Sequence, residues 1–377
     1  MLGGTVAGLA SAAANKLRPE QQLPSNWVYD RSIKDFASLK RNIMKLAARK
    51  APPSIPVISM IGDIEECRRN SNGEFLNRQA PSGWLRTIDS LVLKGQGYLP
   101  FQDMMIRQRD RIADCIHLKR VPMYRFRYMD PIMASPAATR TWIETLDWTF
   151  PWGVGNIDMD TAYAMAFDWK VMNNQRAHDA LTVWFDWHDR HIDPKTGFWD
   201  LGKTGELLNC MAGAMHQFGI YFMFNRELPY YERAVDATVS LQQPTGLFSP
   251  DSYSHNCLDI DAVFVLANIY NKYGVRKAKI FETLERTFEA NLKCFQPEGG
   301  ALHRAGIDRE TEWWSTWCRT AIIGWSARIL GIKEFYGPWD FHPRHPFVSE
   351  NGGKDLPAWT DDKWYDAADW PRPVKNS

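Results

Sequence analysis

The sequence predicts an all-α protein, an (α/α)6 toroid of six helical hairpins with an N-terminal extension. Two observations predict it. A turn recurs as Asp193-Pro-Lys-Thr-Gly-Phe-Trp199, Gln243-Pro-Thr-Gly-Leu-Phe248 and Gln296-Pro-Glu-Gly-Gly-Ala301, its glycines Gly197, Gly246 and Gly299 roughly fifty residues apart. The helices between the turns are of two kinds, half-apolar and apolar nearly all round, which is what an outer and an inner layer require.

In chain order, residues 1–90 read as an extension packed on the barrel, 91–340 as the toroid and 341–377 as an irregular tail covering one end. The stretch Met1 to Ala14 is small and apolar and ends in an Ala-x-Ala pattern without a basic region before it. It reads either as the later part of an export signal or as an Ala/Gly tail, so cytoplasmic and exported locations both stay open. Asp35 to Lys50 reads as a helix, and the proline-rich 52–61 as a loop or short extended piece. Weaker echoes of the turn occur at Gly95-Gln-Gly97, Pro151-Trp-Gly153 and Gly337-Pro-Trp339. Outer helices are expected at Ala177 to Trp187, Tyr231 to Leu241 and Ile280 to Leu292, where charged residues fill the face opposite the apolar one. Inner helices are expected at Thr161 to Met172, Leu207 to Phe218, Leu258 to Tyr270 and Trp313 to Leu330.

Composition narrows the function classes. With 377 residues, 45% hydrophobic and 24% charged, the chain can bury a large core, which excludes a disordered or fibrous protein. Lys+Arg 45 against Asp+Glu 44 leaves a net charge of +1, so no bulk charge attracts a nucleic-acid backbone. No apolar run is long enough to span a bilayer. The partner expected instead is a small molecule, apolar or carbohydrate. An aromatic share of 13% fits either a rigid core or an aromatic-lined cavity.

The signature Gln-x-Pro-x-Gly with a following aromatic, repeated between helices from about Gly95 to Trp339, resembles the repeat of the terpenoid cyclase and protein prenyltransferase superfamily. That superfamily shares its toroid with polysaccharide lyases, six-hairpin glycosidases and lanthionine cyclases. Asp259-Ile-Asp261 is similar to the Asp-x-Asp-Asp motif of class II terpenoid cyclases, with Ala262 where the family has its last Asp. The resemblance implies Asp261 as the proton donor to an alkene and Asp259 as its supporting carboxylate.

In a toroid the turns deliver the N-termini of inner helices to one rim, where residues distant in sequence meet. Glu312 joins Asp259 and Asp261 there as a third candidate acid. The i, i+2 pair Asp158/Asp160 could clamp Mg²⁺ if both precede the regular helix; helix capping is the ordinary reading of such acids. Cys210, His255 and Cys257 form a candidate Zn²⁺ set, against small-residue packing as the alternative. Trp199, Trp313, Trp314 and Trp317 could wall a substrate cavity or fill the core, and Lys203, Asn209 and Arg319 could bind substrate, with a salt bridge from Arg319 to Asp259 or Glu312 as the alternative. His216 reads as a core histidine. Three functions follow. The first is a terpenoid-cyclase-like lyase or isomerase on an isoprenoid, the second a carbohydrate-active hydrolase or lyase using paired carboxylates, and the third a non-catalytic binding toroid.

Overall fold

The computed structural model describes residues 27–50, 129–170, 173–224, 226–248 and 256–335. Among these the chain forms α1 (Phe36–Arg49), α2 (Pro136–Glu144), α3 (Pro151–Lys170), α4 (Gln175–His191), α5 (Leu207–Met223), α6 (Tyr231–Ser240), α7 (Cys257–Tyr273), α8 (Lys277–Leu292) and α9 (Trp313–Leu330), closed by a 3-10 turn at Lys333–Phe335. No strand occurs among the described residues; two isolated bridges, Phe295 with Ala301 and Ala301 with Glu312, are the whole β content there. None of the described helices is long and apolar enough to cross a membrane. The expected features at 1–16, 52–61, Gly95-Gln-Gly97, Gly337-Pro-Trp339 and 341–377 lie outside the described residues.

The two helix kinds take the two expected layers. In α7 every residue from Leu258 to Ile269 is buried, polar ones included, because neighbours enclose the helix on all sides. In α8 burial is confined to Ile280, Thr283, Leu284, Thr287, Phe288, Ala290 and Asn291, one face of the helix. The inner helices α3, α5, α7 and α9 pack side by side in that order, with α4 against α3, α6 against α5 and α7, and α8 against α7 and α9. The closest inner contact joins α3 to α5, where a methyl on Gly155 would lie 2.7 Å from the Gly213 Cα. Only glycine permits that approach.

One expected boundary is corrected. Pro151-Trp-Gly153 is not a turn echo but the start of α3, ten residues before the helix expected from Thr161. Proline at the first helical position lacks only an N–H that the helix leaves unpaired anyway, so the segment opens a helix. Asp158 and Asp160 therefore sit inside α3 rather than ahead of it.

The three turns are equivalent in hydrogen bonding. In the second, the Gly246 N–H donates to the Gln243 carbonyl at 2.9 Å and the Gln243 N–H to the Leu247 carbonyl at 2.7 Å. The third repeats this, Gly299 to Gln296 at 3.0 Å and Gln296 to Gly300 at 2.9 Å. The first carries one more residue, Gly197 to Asp193 at 2.7 Å and Asp193 to Phe198 at 2.8 Å. All three glycines are left-handed, with φ of 72°, 89° and 106°.

Each turn also docks on the next outer helix. A methyl on Gly197 would meet the Tyr230 carbonyl at 2.8 Å at the start of α6, and one on Gly246 the Arg286 carbonyl at 2.7 Å in α8. A methyl on Gly299 would meet the Leu46 nitrogen at 2.6 Å in α1, so the N-terminal helix occupies the position that an outer helix after α9 would hold. Asn42 fastens it, donating to the Gln296 carbonyl and to Asp30 at 2.7 Å each and accepting the Gly300 N–H at 2.8 Å. Arg49 donates to the Gly299 carbonyl at 2.9 Å and Lys45 to the Pro297 carbonyl at 2.8 Å. The start of α1 is set by a capping box between Asp35 and Ser38.

Candidate functional site

The first turn of α7 meets the second turn of α9 through two charged side chains that water does not reach. Arg319 donates through Nη1 to Asp259 Oδ2 at 2.6 Å, and the two side chains are 1% and 0% exposed. The other Asp259 oxygen accepts the Phe248 N–H at 2.6 Å, which ties down the end of the second turn. Arg319 also donates to Asn291 Oδ1 at 3.0 Å and to the His303 carbonyl. A carboxylate accepting a guanidinium on one oxygen and an amide on the other anchors the groups around it.

Asp261, one of the first residues of the same helix, is 3% exposed and flanked by the buried Ile260, Ala262, Val263 and Phe264. Phe264 is on its face of the helix one turn further in. The Phe264 ring lies 6.1 Å from Phe222 of α5 and 5.7 Å from Trp325 of α9, and Phe222 lies 6.3 Å from Phe218. A row of aromatic rings thus crosses three inner helices below Asp261.

Around the α7 entrance, His303 accepts the Asn256 N–H on Nδ1 at 3.4 Å. Burial, and next the Arg319 charge, hold its pKa below the usual imidazole value. Nothing in the sequence singled out His303, because its position depends on the loop between the third turn and α9. Glu312 is exposed at the head of α9 and accepts the Ser315 hydroxyl at 2.9 Å. Burial, and next the influence of Cys257, push the Cys318 pKa well up.

The α5 entrance is separate. Cys210 is buried beside Asp200, and burial followed by the Asp200 charge pushes its thiol up to about 12. Asn209 donates to Glu206, while Lys203 is exposed in a left-handed turn position with φ 50°. Cys210 and Cys257 thus have different partners, and among the described residues no three His, Cys, Asp or Glu side chains converge as a metal would need. His255 lies outside the described residues, as do the side chains of Asp160, Trp313, Trp314 and Trp317.

Asp158 belongs to a second buried network. Its oxygens accept the Trp184 indole N–H at 2.7 Å and the Gln217 amide at 3.0 Å, and His188 Nε2 lies 2.7 Å away with both side chains at 0% exposure. Trp199 donates its indole N–H to the His188 carbonyl at 3.0 Å and is 2% exposed, packed among core rings. Next to it, Asp189 accepts from Tyr221 at 2.6 Å and from Arg226 at 2.5 Å. This network ties α3, α4 and α5 together. Asp158 and Asp160 lie two positions apart within the helix rather than ahead of it, and in a regular helix positions two apart are separated by about 200° around the axis.

No family model, curated protein or solved structure matches this chain.

Proposed function

We propose that the chain is an enzyme, that its two helical layers close into an (α/α)6 toroid, and that Asp261 acts as acid on an isoprenoid or similarly apolar substrate. The docking of α1 on the third turn supports closure, because it supplies an outer helix where the described chain has none following α9. One observation carries the chemistry. Asp261 sits one helical turn above Phe264, the middle ring of the row formed with Phe222 and Trp325. Such faces stabilise positive charge at the carbon an acid has just protonated, and on this reading Asp259 fixes the helix through Arg319 while Asp261 does the chemistry.

The experiment is turnover of a panel of linear isoprenoids and their diphosphates, with and without Mg²⁺, followed by product analysis. Asp261→Asn should abolish turnover with the circular dichroism unchanged. An active Asp261→Asn variant would end the reading. Loss of activity with chelator would convert Asp261 from acid to metal ligand.

The exposed rim favours a second reading. Glu312 is open to solvent at the head of α9, and its charge acts on the half-buried His303, which makes Glu312 the carboxylate a carbohydrate-active enzyme would use as acid or base. On this reading Glu312→Gln, and not Asp261→Asn, removes turnover of a polysaccharide.

A further inference from the structure

The chain entering α5 lies along the chain entering α3. A methyl on Gly202 would lie 2.6 Å from the Trp148 carbonyl and 2.8 Å from the Thr149 Cα, and one on Gly213 would run into the Pro151 carbonyl. Phe150 falls between those two contacts, 50% exposed, with its ring edge-on to Trp152 at 6.3 Å. Asn209 sits one turn before Gly213 on the same face of α5, so it is turned towards this stretch of chain. Asp200 fixes the loop ahead of it, accepting the Thr204 N–H at 2.8 Å, the Thr204 hydroxyl at 3.1 Å and the Gly205 N–H at 3.1 Å. Glu206, exposed at the head of α5, makes no cap bond to its own helix and instead accepts the Asn209 side-chain amide. A carboxylate only accepts, so Nδ2 is the atom that faces it, and Oδ1 of the same planar group lies beside that contact. That oxygen meets no donor, although Asn209 is only 4% exposed. A buried carbonyl oxygen left unanswered is costly, and a ligand that donates to it removes the cost.

We propose that the heads of α3 and α5 form a binding site for a small primary alkylammonium ion. The Asn209 Oδ1 and the Glu206 carboxylate are both acceptors, and an ammonium is the group that only donates, through three N–H bonds. A sugar hydroxyl would bring lone pairs of its own to a place already rich in them, and an anion would meet Glu206 charge against charge. The two acceptors divide the work by depth. Glu206, at the surface, supplies the opposite charge, whereas the buried partner is a neutral amide oxygen, which costs less to desolvate than a second carboxylate would. The half-exposed Phe150 ring accounts for the alkyl part. An apolar stem laid on it loses water from both surfaces, and the ring face attracts the positive head. The Asp200 bonds hold the loop in place before any ligand arrives, so little ordering is left for binding to oppose.

This proposal does not depend on the isoprenoid reading, and its readout is binding rather than turnover. n-Butylammonium chloride is titrated into the full chain at neutral pH and fixed ionic strength, with heats followed by isothermal calorimetry. Tetramethylammonium chloride and magnesium chloride are titrated alongside. Saturable binding of n-butylammonium is expected, with none of tetramethylammonium, which is a cation without an N–H to give. Asn209→Leu should abolish the binding with unchanged circular dichroism. Glu206→Gln changes only an exposed side chain and decides the matter if the Asn209 variant fails to fold; it should weaken binding about tenfold or more, the scale of a lost charged hydrogen bond. Phe150→Ala should also weaken it. The proposal fails if n-butylammonium gives no saturable heat, or if Glu206→Gln binds it as the wild type does. It fails equally if tetramethylammonium binds as well, which would leave the acceptors without a part, or if Mg²⁺ binds in place of the amine, which would make the two oxygens metal ligands.

Discussion

Arg319 on α9 and Asp259 on α7 form a buried ion pair at 2.6 Å. Its two charges are also satisfied by the Phe248 amide, Asn291 and the His303 carbonyl, so it joins two inner helices to the end of one turn and to the loop after another. Removing one partner leaves the other charge buried without compensation. Asp259→Asn or Arg319→Met should each cost about 3–5 kcal/mol in urea unfolding. Replacing both, as Asp259→Leu with Arg319→Met, should recover part of that loss, because two well-packed apolar groups carry no desolvation cost. A double variant no more stable than the worse single would show that the pair does not act as a unit.

The layers were legible in the sequence for a physical reason. A helix enclosed on all sides must be apolar on all sides, as Leu258 to Ile269 is, and a one-sided helix such as α8 must alternate by turn. The left-handed glycines of the turns are equally local, so Gly197, Gly246 and Gly299 were found by spacing alone. The early start of α3 was missed because Pro151-Trp-Gly153 has turn composition, although proline also suits a first helical position. Site roles were the least legible. Asp259 has the same sequence surroundings whether it caps, catalyses or pairs, and what decides is Arg319, sixty residues further on. His188 and His303 gave no sequence signal, since their partners Asp158 and Asn256 come from other segments.

The equivalence of the turns predicts a graded glycine series. Gly246→Ala forces a side chain into φ 89° and sets its methyl 2.7 Å from the Arg286 carbonyl of α8. Gly205→Ala faces a similar φ of 68° with nothing within 4 Å. Backbone strain alone costs about 1–3 kcal/mol, so Gly205→Ala should fall within that range and Gly246→Ala above it. Equal losses in chemical denaturation would mean that the turn yields at no cost to its docking on α8.

Asn42 offers the same test for α1. Its amide makes three hydrogen bonds, to Asp30, Gln296 and Gly300, at 1% exposure. Asn42→Ala leaves the Gly300 N–H buried and unanswered, at about 1–3 kcal/mol, while the Gln296 carbonyl keeps the Gly299 N–H as its donor. Loss of native-state amide protection should spread from α1 to the third turn. Fraying confined to α1 would show that the third turn stands without it.

His303 predicts a pH dependence. Its folded pKa lies below the ordinary 6.5 because burial, and then the Arg319 charge, disfavour the imidazolium. When pH falls below 6.5 the unfolded chain therefore binds the proton before the folded one does, and stability declines through that window. Above it the contribution is level. His303→Gln should flatten the decline in unfolding free energy between about pH 7 and about pH 5 relative to wild type. Parallel curves for the two proteins would assign the acid sensitivity to other groups.

The network around Asp158 gives the sharpest stability test. His188 Nδ1 lies 2.7 Å from the Trp184 carbonyl and can only donate there, since a carbonyl gives no proton. Its Nε2 lies 2.7 Å from Asp158 Oδ2, so imidazole and carboxylate are in direct contact. Asp158 also accepts Trp184 and Gln217. Asp158→Asn keeps the shape but removes the charge and replaces one acceptor by a donor facing groups that themselves donate. It should cost about 3–5 kcal/mol, on the scale of a broken buried pair. His188→Gln retains a donor for the carboxylate and should cost less. Trp184 supplies the local readout, because its indole N–H loses a carboxylate acceptor only in the first variant, so only Asp158→Asn should shift the tryptophan fluorescence of the folded protein. Equal losses with no spectral change in either would mean that Asp158 fills space in the α3 to α5 interface without organising its hydrogen bonds.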